Sequence, residues 1–108
     1  MNIVYQERAR QGGGDNLLEQ STKKLAEILS LSQEPIMAEW DRIEDESGCP
    51  RYVLHLRDFS EEEKAVFTPE DLRDPNRYSD RLYRLVGDLL KKVSDQQHRK
   101  VLELVGRL

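Results

Sequence analysis

The hydrophobic pattern changes period partway along this chain, and that change limits what it can fold into. Residues 36–44 (Ile-Met-Ala-Glu-Trp-Asp-Arg-Ile-Glu) and 52–59 (Tyr-Val-Leu-His-Leu-Arg-Asp-Phe) alternate with period two, while residues 75–93 and 95–108 repeat with the helical period. Alternation puts one face of a strand in the core, and a 3.6-residue repeat does the same for one stripe of a helix. The stretch Asp45-Glu46-Ser47-Gly48-Cys49-Pro50 separates the two strand-like runs and has turn composition. The chain therefore reads as an α+β domain, with a helix, a three-stranded antiparallel meander, and then one long and one short C-terminal helix.

The first helix is expected from Asp15 or Asn16 as N-cap to about Leu31, with Leu17, Leu18, Ser21, Leu25, Ile28 and Leu29 on one face. Glu34 precedes Pro35 and is pushed out of helical geometry, which ends the helix. On strand 36–44, Ile36, Ala38 and Trp40 share a face. On strand 52–59, Tyr52, Leu54 and Leu56 oppose Val53, His55, Arg57 and Phe59. A third strand is expected at Lys64-Ala65-Val66-Phe67, and its acidic approach discourages edge pairing. Three helix starts follow. Thr68-Pro69-Glu70-Asp71 opens a single turn near 69–73, Asp74-Pro75 opens a long helix at 75–93, and the capping-box pattern Ser94-Asp95-Gln96-Gln97 opens a final helix at 95–107. Residues 1–14 read as a flexible N-terminal segment, with Ile3-Val4-Tyr5 able to form a short strand before the break Gly12-Gly13-Gly14. Residues 15–108 read as a single domain.

Composition narrows the functional classes. With 37% hydrophobic and 35% charged residues the chain is too apolar for disorder. No apolar run approaches the roughly 20 residues of a spanning helix, and no apolar leader opens the chain, so no membrane partner and a cytoplasmic location are expected. The one cysteine, Cys49, cannot make an internal disulfide, which agrees with a reducing compartment. The formal net charge is −4, unevenly spread: residues 74–108 hold eight Lys/Arg against five Asp/Glu, and residues 1–73 nine against sixteen. An acidic body with a mildly basic end fits a protein partner at least as well as a nucleic acid.

No constellation announces chemistry. His55 and His98 sit on different elements without metal-ligand spacing. The acidic run Glu39–Glu46 lacks the glycine and glutamate positions of a calcium loop. Glycines 12–14 lack the Lys-Ser/Thr of a phosphate loop. No nucleophile–base–acid set can be assembled, so the reading is of a protein without enzymatic activity, metal or cofactor. Trp40, Tyr52 and Phe67 lie on three strands, phased with Ile36, Leu54 and Ala65, and read as core rather than as a stacking platform for bases.

Two surfaces stand out. Arg77, Arg81, Arg84 and Lys91, with Lys92 at the margin, form a stripe on the 75–93 helix that is able to grip phosphates or a partner. The bland alternative is a solvated helix back, with Asp80–Arg84 and Asp88–Lys92 as i,i+4 pairs. The last helix carries Val101, Leu102, Leu104, Val105 and Leu108, more apolar surface than a short terminal helix needs. It is expected to pack on the sheet or on a second copy, with Val101, Leu102, Val105 and Leu108 as interface.

The order helix, three strands, helix resembles that of double-stranded-RNA-binding domains. Where those domains place a Lys-Lys-x-Ala-Lys cluster, this chain has Asp74-Pro75-Asn76-Arg77-Tyr78-Ser79-Asp80. Across residues 36–108, the segments Arg51-Tyr52-Val53-Leu54-His55-Leu56, Val66-Phe67-Thr68-Pro69-Glu70-Asp71-Leu72 and Asp74-Pro75-Asn76-Arg77-Tyr78 are similar to an accessory module of phage- and plasmid-type primase–helicase proteins. That resemblance implies an accessory role in DNA replication, with any ATPase residing in a partner. The leading expectation from the sequence is a non-catalytic module that binds a protein partner or a second copy of itself. Nucleic-acid binding through the basic helix face comes next, and a small acidic chaperone-like dimer third.

Overall fold

The computed structural model describes residues 3–32 and 35–106, without the side chains of Lys100, Val101 and Leu104. Its strands are β1 (Ile3–Tyr5), β2 (Met37–Glu44), β3 (Pro50–Arg57) and β4 (Glu62–Phe67), in one sheet of order β1-β2-β3-β4. Its helices are α1 (Glu7–Arg10), α2 (Gly14–Ser30), α3 (Pro69–Arg73) and α4 (Pro75–Gly106), with a 3-10 turn at Gln11–Gly13 between the first two.

The α+β class expected from sequence is present, with two differences in detail. The meander β2-β3-β4 is antiparallel, but β1 adds a fourth strand parallel to β2, pairing Ile3 with Ala38 and Tyr5 with Trp40. A parallel pair needs a crossover, and α2 supplies it. The two C-terminal helices are one continuous α4. The capping box at Ser94 goes unused because no Gly or Pro stops the helix before it. Ser and Val cost only tenths of a kcal/mol in a helix interior, less than the backbone hydrogen bonds that a break would forfeit.

Residues 3–13, read from sequence as a flexible segment, carry β1, α1 and the 3-10 turn, and Ala9 is fully buried. The glycine triplet is what lets this segment fold back. Gly12 and Gly13 take φ of 61° and 79°, the left-handed region that side chains disfavour. Gly14 starts α2 against the Ala9 carbonyl, so closely that a Cβ there would lie 1.9 Å from the carbonyl oxygen. Tyr5 Oη donates to Thr22 Oγ1 at 2.7 Å, tying β1 to α2.

The strand phases hold. Ala38, Trp40, Tyr52, Leu54, Leu56 and Phe67 are buried beneath Leu18, Leu25 and Ile28 of α2 and Tyr78, Leu82, Leu85 and Leu89 of α4. Trp40 and Phe67 meet edge to face with ring centroids 5.5 Å apart. The three strand aromatics are therefore core, and none is free to stack a base. The opposite sheet face is mixed: Val4, Met37, Ile43 and Val66 are exposed among Glu39, His55 and Arg57, around a buried Val53. On the β4 edge, Lys92 Nζ donates to the Glu62 carbonyl at 3.2 Å, occupying one of the free edge acceptors.

α3 is a capping box built as its sequence announces. Thr68 Oγ1 accepts from the Asp71 N–H, the Asp71 carboxylate accepts from the Thr68 N–H, and Pro69 takes the first helical position.

Candidate functional site

α4 is longer than the body it packs on. Leu82, Leu85, Val86, Leu89 and Val93 are buried. Beyond Val93, no described side chain of α4 is buried. The chain end runs on for about three and a half turns to Gly106, giving the molecule extents of 58 × 30 × 22 Å. Leu102 and Val105, expected at an interface, are 57% and 60% exposed and do not pack on the sheet. The Val101 side chain and Leu108, named with them, lie outside what is described.

Next to this projection is an apolar groove of ≈ 220 Å³ between the end of α2 and the middle of α4. It is lined by Ile28, Leu31, Tyr83, Val86, Gly87 and Leu90. Leu31 is 79% exposed, and Tyr83 is half exposed with Lys24 Nζ 5.4 Å from its ring centroid. Sequence reasoning missed this groove. Leu31 falls one residue past α2, and Tyr83 sits beside, not in, the buried stripe. The available signal was the spacing Tyr83-Gly87-Leu90, an uncharged line on the flank of α4. Phe59, in the β3–β4 loop, was also missed and is 95% exposed. Alternation in the sequence places it on the strand, but β3 ends two residues earlier.

The basic stripe is brought together along α4, but its charges are largely answered by acids. Arg77 lies 3.5 Å from Asp74 and 3.9 Å from Asp71. Arg81 donates to Asp71 Oδ2 at 3.1 Å, with its guanidinium 4.3 Å from the Phe67 ring centroid. Arg84 pairs with Asp80, as the i,i+4 spacing foretold. Lys92 does not pair with Asp88. It reaches across to Glu63 of β4 at 2.6 Å, a bond that raises the Lys92 pKa. Lys91 is exposed and makes no ion pair among the described residues. A phosphate approaching this face would have to compete with four carboxylates.

Asp71 is the hub of that network. Its pKa is lowered, first by the Thr68 N–H it accepts from, against the opposing effect of burial, and further by Thr68 Oγ1, Arg81 and Arg77. A carboxyl depressed in the folded state stabilises the fold above its unfolded pKa, and that contribution is lost as pH falls through the folded value. Asp71→Asn is therefore expected to destabilise the protein by about 1 kcal/mol at neutral pH. The difference from wild type should vanish once the solution is acid enough to protonate Asp71 in both states. Urea unfolding followed from pH 7 downward checks this; a difference that persists undiminished at the acid end refutes it.

The remaining candidates stay apart. His55 is on the open sheet face, His98 is exposed on the projecting end of α4, and Cys49 is exposed in the β2–β3 loop. Asp45, in the acidic run, spends its carboxylate on the Ser47 and Cys49 backbone N–H groups, the Ser47 hydroxyl and Arg51. Among the described residues no group of three or more His, Cys, Asp or Glu is placed to hold a metal ion. No helix of the described residues is long and apolar enough to cross a membrane. No family model, curated protein or solved structure matches the chain.

Proposed function

We propose that this protein is a non-catalytic interaction module whose partner is a protein. The observation that supports it most is the pairing of two unfilled apolar surfaces on one helix: the α2–α4 groove, and the projecting end of α4 with Leu102 and Val105 exposed. Both surfaces lie on α4 and neither is covered by another described element. The basic face of α4, the other candidate, is largely neutralised by Asp71, Asp74, Asp80 and Glu63.

A photo-reactive benzoylphenylalanine in place of Val105, introduced in the native host, tests the reading. The expected product is a crosslink to one identified protein that disappears when Gly87→Glu is added. That second change places a charge in the groove at a position where an added Cβ meets nothing within 4 Å. Titration with labelled single- and double-stranded DNA and RNA at low salt is the counterpart, and no binding is expected. Affinity falling with salt at a log–log slope near −2 to −4, reduced by about one in Arg81→Ala and in Arg84→Ala, would overturn the protein-partner reading in favour of a nucleic-acid module.

A further inference from the structure

β4 is an edge strand, and its register fixes which of its backbone groups are unused. The Asp58 N–H donates to the Glu61 carbonyl, so this pair of the β3–β4 hairpin is hydrogen bonded. Bonded and non-bonded pairs alternate along an antiparallel ladder. Leu56–Glu63, Leu54–Ala65 and Tyr52–Phe67 are therefore bonded pairs, and Glu62, Lys64 and Val66 turn their N–H and C=O groups outward. The Glu62 carbonyl agrees, since it accepts from Lys92 Nζ across the outer edge. Lys92 also pairs with Glu63 and closes that end. The outward N–H and C=O groups of Lys64 and Val66 have no partner among the described residues.

α4 runs antiparallel to β4, with Arg81 over Phe67 and Lys92 at Glu63, so its charged flank borders this edge. A groove of ≈ 200 Å³ between them is lined by Ala65, Leu85, Arg81, Arg84 and Asp88, among others. Arg81 is held by Asp71 and the Phe67 ring. Arg84 pairs with Asp80, but both side chains are about 70% exposed, and an exposed pair of this kind is readily exchanged for another. Lys64 is exposed and makes no ion pair among the described residues. Asp88 lies toward Lys92, whose pKa it helps to raise. Positive charge is thus left beside the unused backbone.

We propose that a partner protein adds an extended segment to β4 as a fifth, antiparallel strand, and that this segment reads apolar, acidic, acidic. The proposal rests on the protein-partner reading but not on the α2–α4 groove. Backbone hydrogen bonds to Lys64 and Val66 supply the affinity, as in other strand additions, and side chains supply the choice of sequence. Residues directly opposite in a ladder share a face. The burial pattern of β4 puts Lys64 and Val66 on the open face and Ala65 on the helix side. The incoming residue opposite Val66, which is 43% exposed, is then apolar. The next, opposite Ala65, reaches Arg84 in the groove and is acidic. The third, opposite Lys64, is acidic as well. A parallel strand is less stable per residue. A second copy of this chain fits the edge poorly: two β4 strands centred on Lys64 oppose that lysine with itself, and two centred on Ala65 bring the Arg84 flanks face to face.

The probe is the synthetic peptide Thr-Thr-Val-Glu-Glu-Thr-Thr, titrated into the isotope-labelled full chain. The Lys64 and Val66 amides are expected to exchange rapidly in the free protein and to slow when the peptide is added, with little change at Ala65. The counterpart Thr-Thr-Val-Lys-Lys-Thr-Thr should bind about fivefold or more weakly. Val66→Pro removes an outward donor and sets a ring in the path of the added strand, while the bonds to β3 remain. It should weaken binding of the acidic peptide about tenfold or more, with circular dichroism reporting the fold. Arg84→Glu, at an exposed site, serves if the proline variant does not fold, and should shift preference toward the lysine peptide. Unchanged exchange at Lys64 and Val66, equal binding of the two peptides in wild type and Arg84→Glu, or undiminished binding by folded Val66→Pro overturns the proposal. So does a wild-type dimer that Val66→Pro converts to monomer, which assigns the edge to a second copy. If the proposal falls while position 105 still crosslinks to one identified protein, the interaction-module reading stands; without that crosslink both fall.

Discussion

Replacing Trp40 with alanine is expected to destabilise the protein by about 3–5 kcal/mol, through lost transfer energy and the cavity left behind. Trp40 is fully buried at the centre of the sheet, where it packs edge to face on Phe67 and is flanked through the β ladder by Leu54. A domain of this size has about 5–15 kcal/mol in total, so the variant should sit close to unfolding at room temperature. The informative comparison is Trp40→Phe. Trp40 Nε1 is buried without a hydrogen-bond partner among the described residues. Phenylalanine removes that unsatisfied donor, which offsets part of the cavity cost because a buried unpaired donor costs about 1–3 kcal/mol. Trp40→Phe should therefore lose far less stability than Trp40→Ala. Chemical denaturation measures both. Equal losses, or native tryptophan emission at the wavelength of full water exposure, would show that the ring is not packed as described.

The second large effect is expected at Gly14, where alanine should destabilise by about 2–3 kcal/mol through overpacking. In an open helix the same change is favourable by up to about 1 kcal/mol, and Gly14 has ordinary helical φ of −61°. The penalty comes from the Ala9 carbonyl, 1.9 Å from where the new methyl carbon would sit, with the Tyr52 hydroxyl 3.4 Å away. Backbone on one side and core on the other leave the methyl no way to move aside. Gly13→Ala is the control. Its Cβ meets nothing within 4 Å, but φ is +79°, so about 1–2 kcal/mol of left-handed strain is expected. If Gly14→Ala proves as stable as wild type, α1 is not docked against the start of α2. The reverse order, with Gly13→Ala the more damaging, would mean that the turn matters and the close approach does not.

The interior of the fold was legible because burial leaves a periodic trace. Alternation put Ala38, Trp40, Tyr52, Leu54 and Leu56 on one face, and helical spacing did the same for Leu82, Leu85, Leu89 and Val93. Capping chemistry is local, so Thr68, Pro69 and Asp71 announced α3, and Pro75 the start of α4. The same locality misled at Ser94, where a capping pattern within a run that contains no helix stop was read as a boundary. The candidate interface was half legible. Leu102 and Val105 were visible as unneeded apolar residues, but the groove was not, since it is made by Leu31 and Tyr83 from two helices brought together only on folding.

The sequence alone determined the class of fold and the buried faces of β2, β3, α2 and α4, because these depend on residue types at short, fixed spacings. Tertiary structure decided the rest. A strand as short as β1 gains its place only by pairing with Trp40's strand. The meaning of three consecutive glycines depends on a carbonyl five residues earlier folding back against them. The partners of Arg81 and Lys92, ten and more than twenty-five residues away, depend on how α3 and β4 lie against α4. Contacts between residues distant in sequence carry no periodic signature, and it is those contacts that gave Arg81 and Lys92 their acidic partners and left the apolar flank of α4 open.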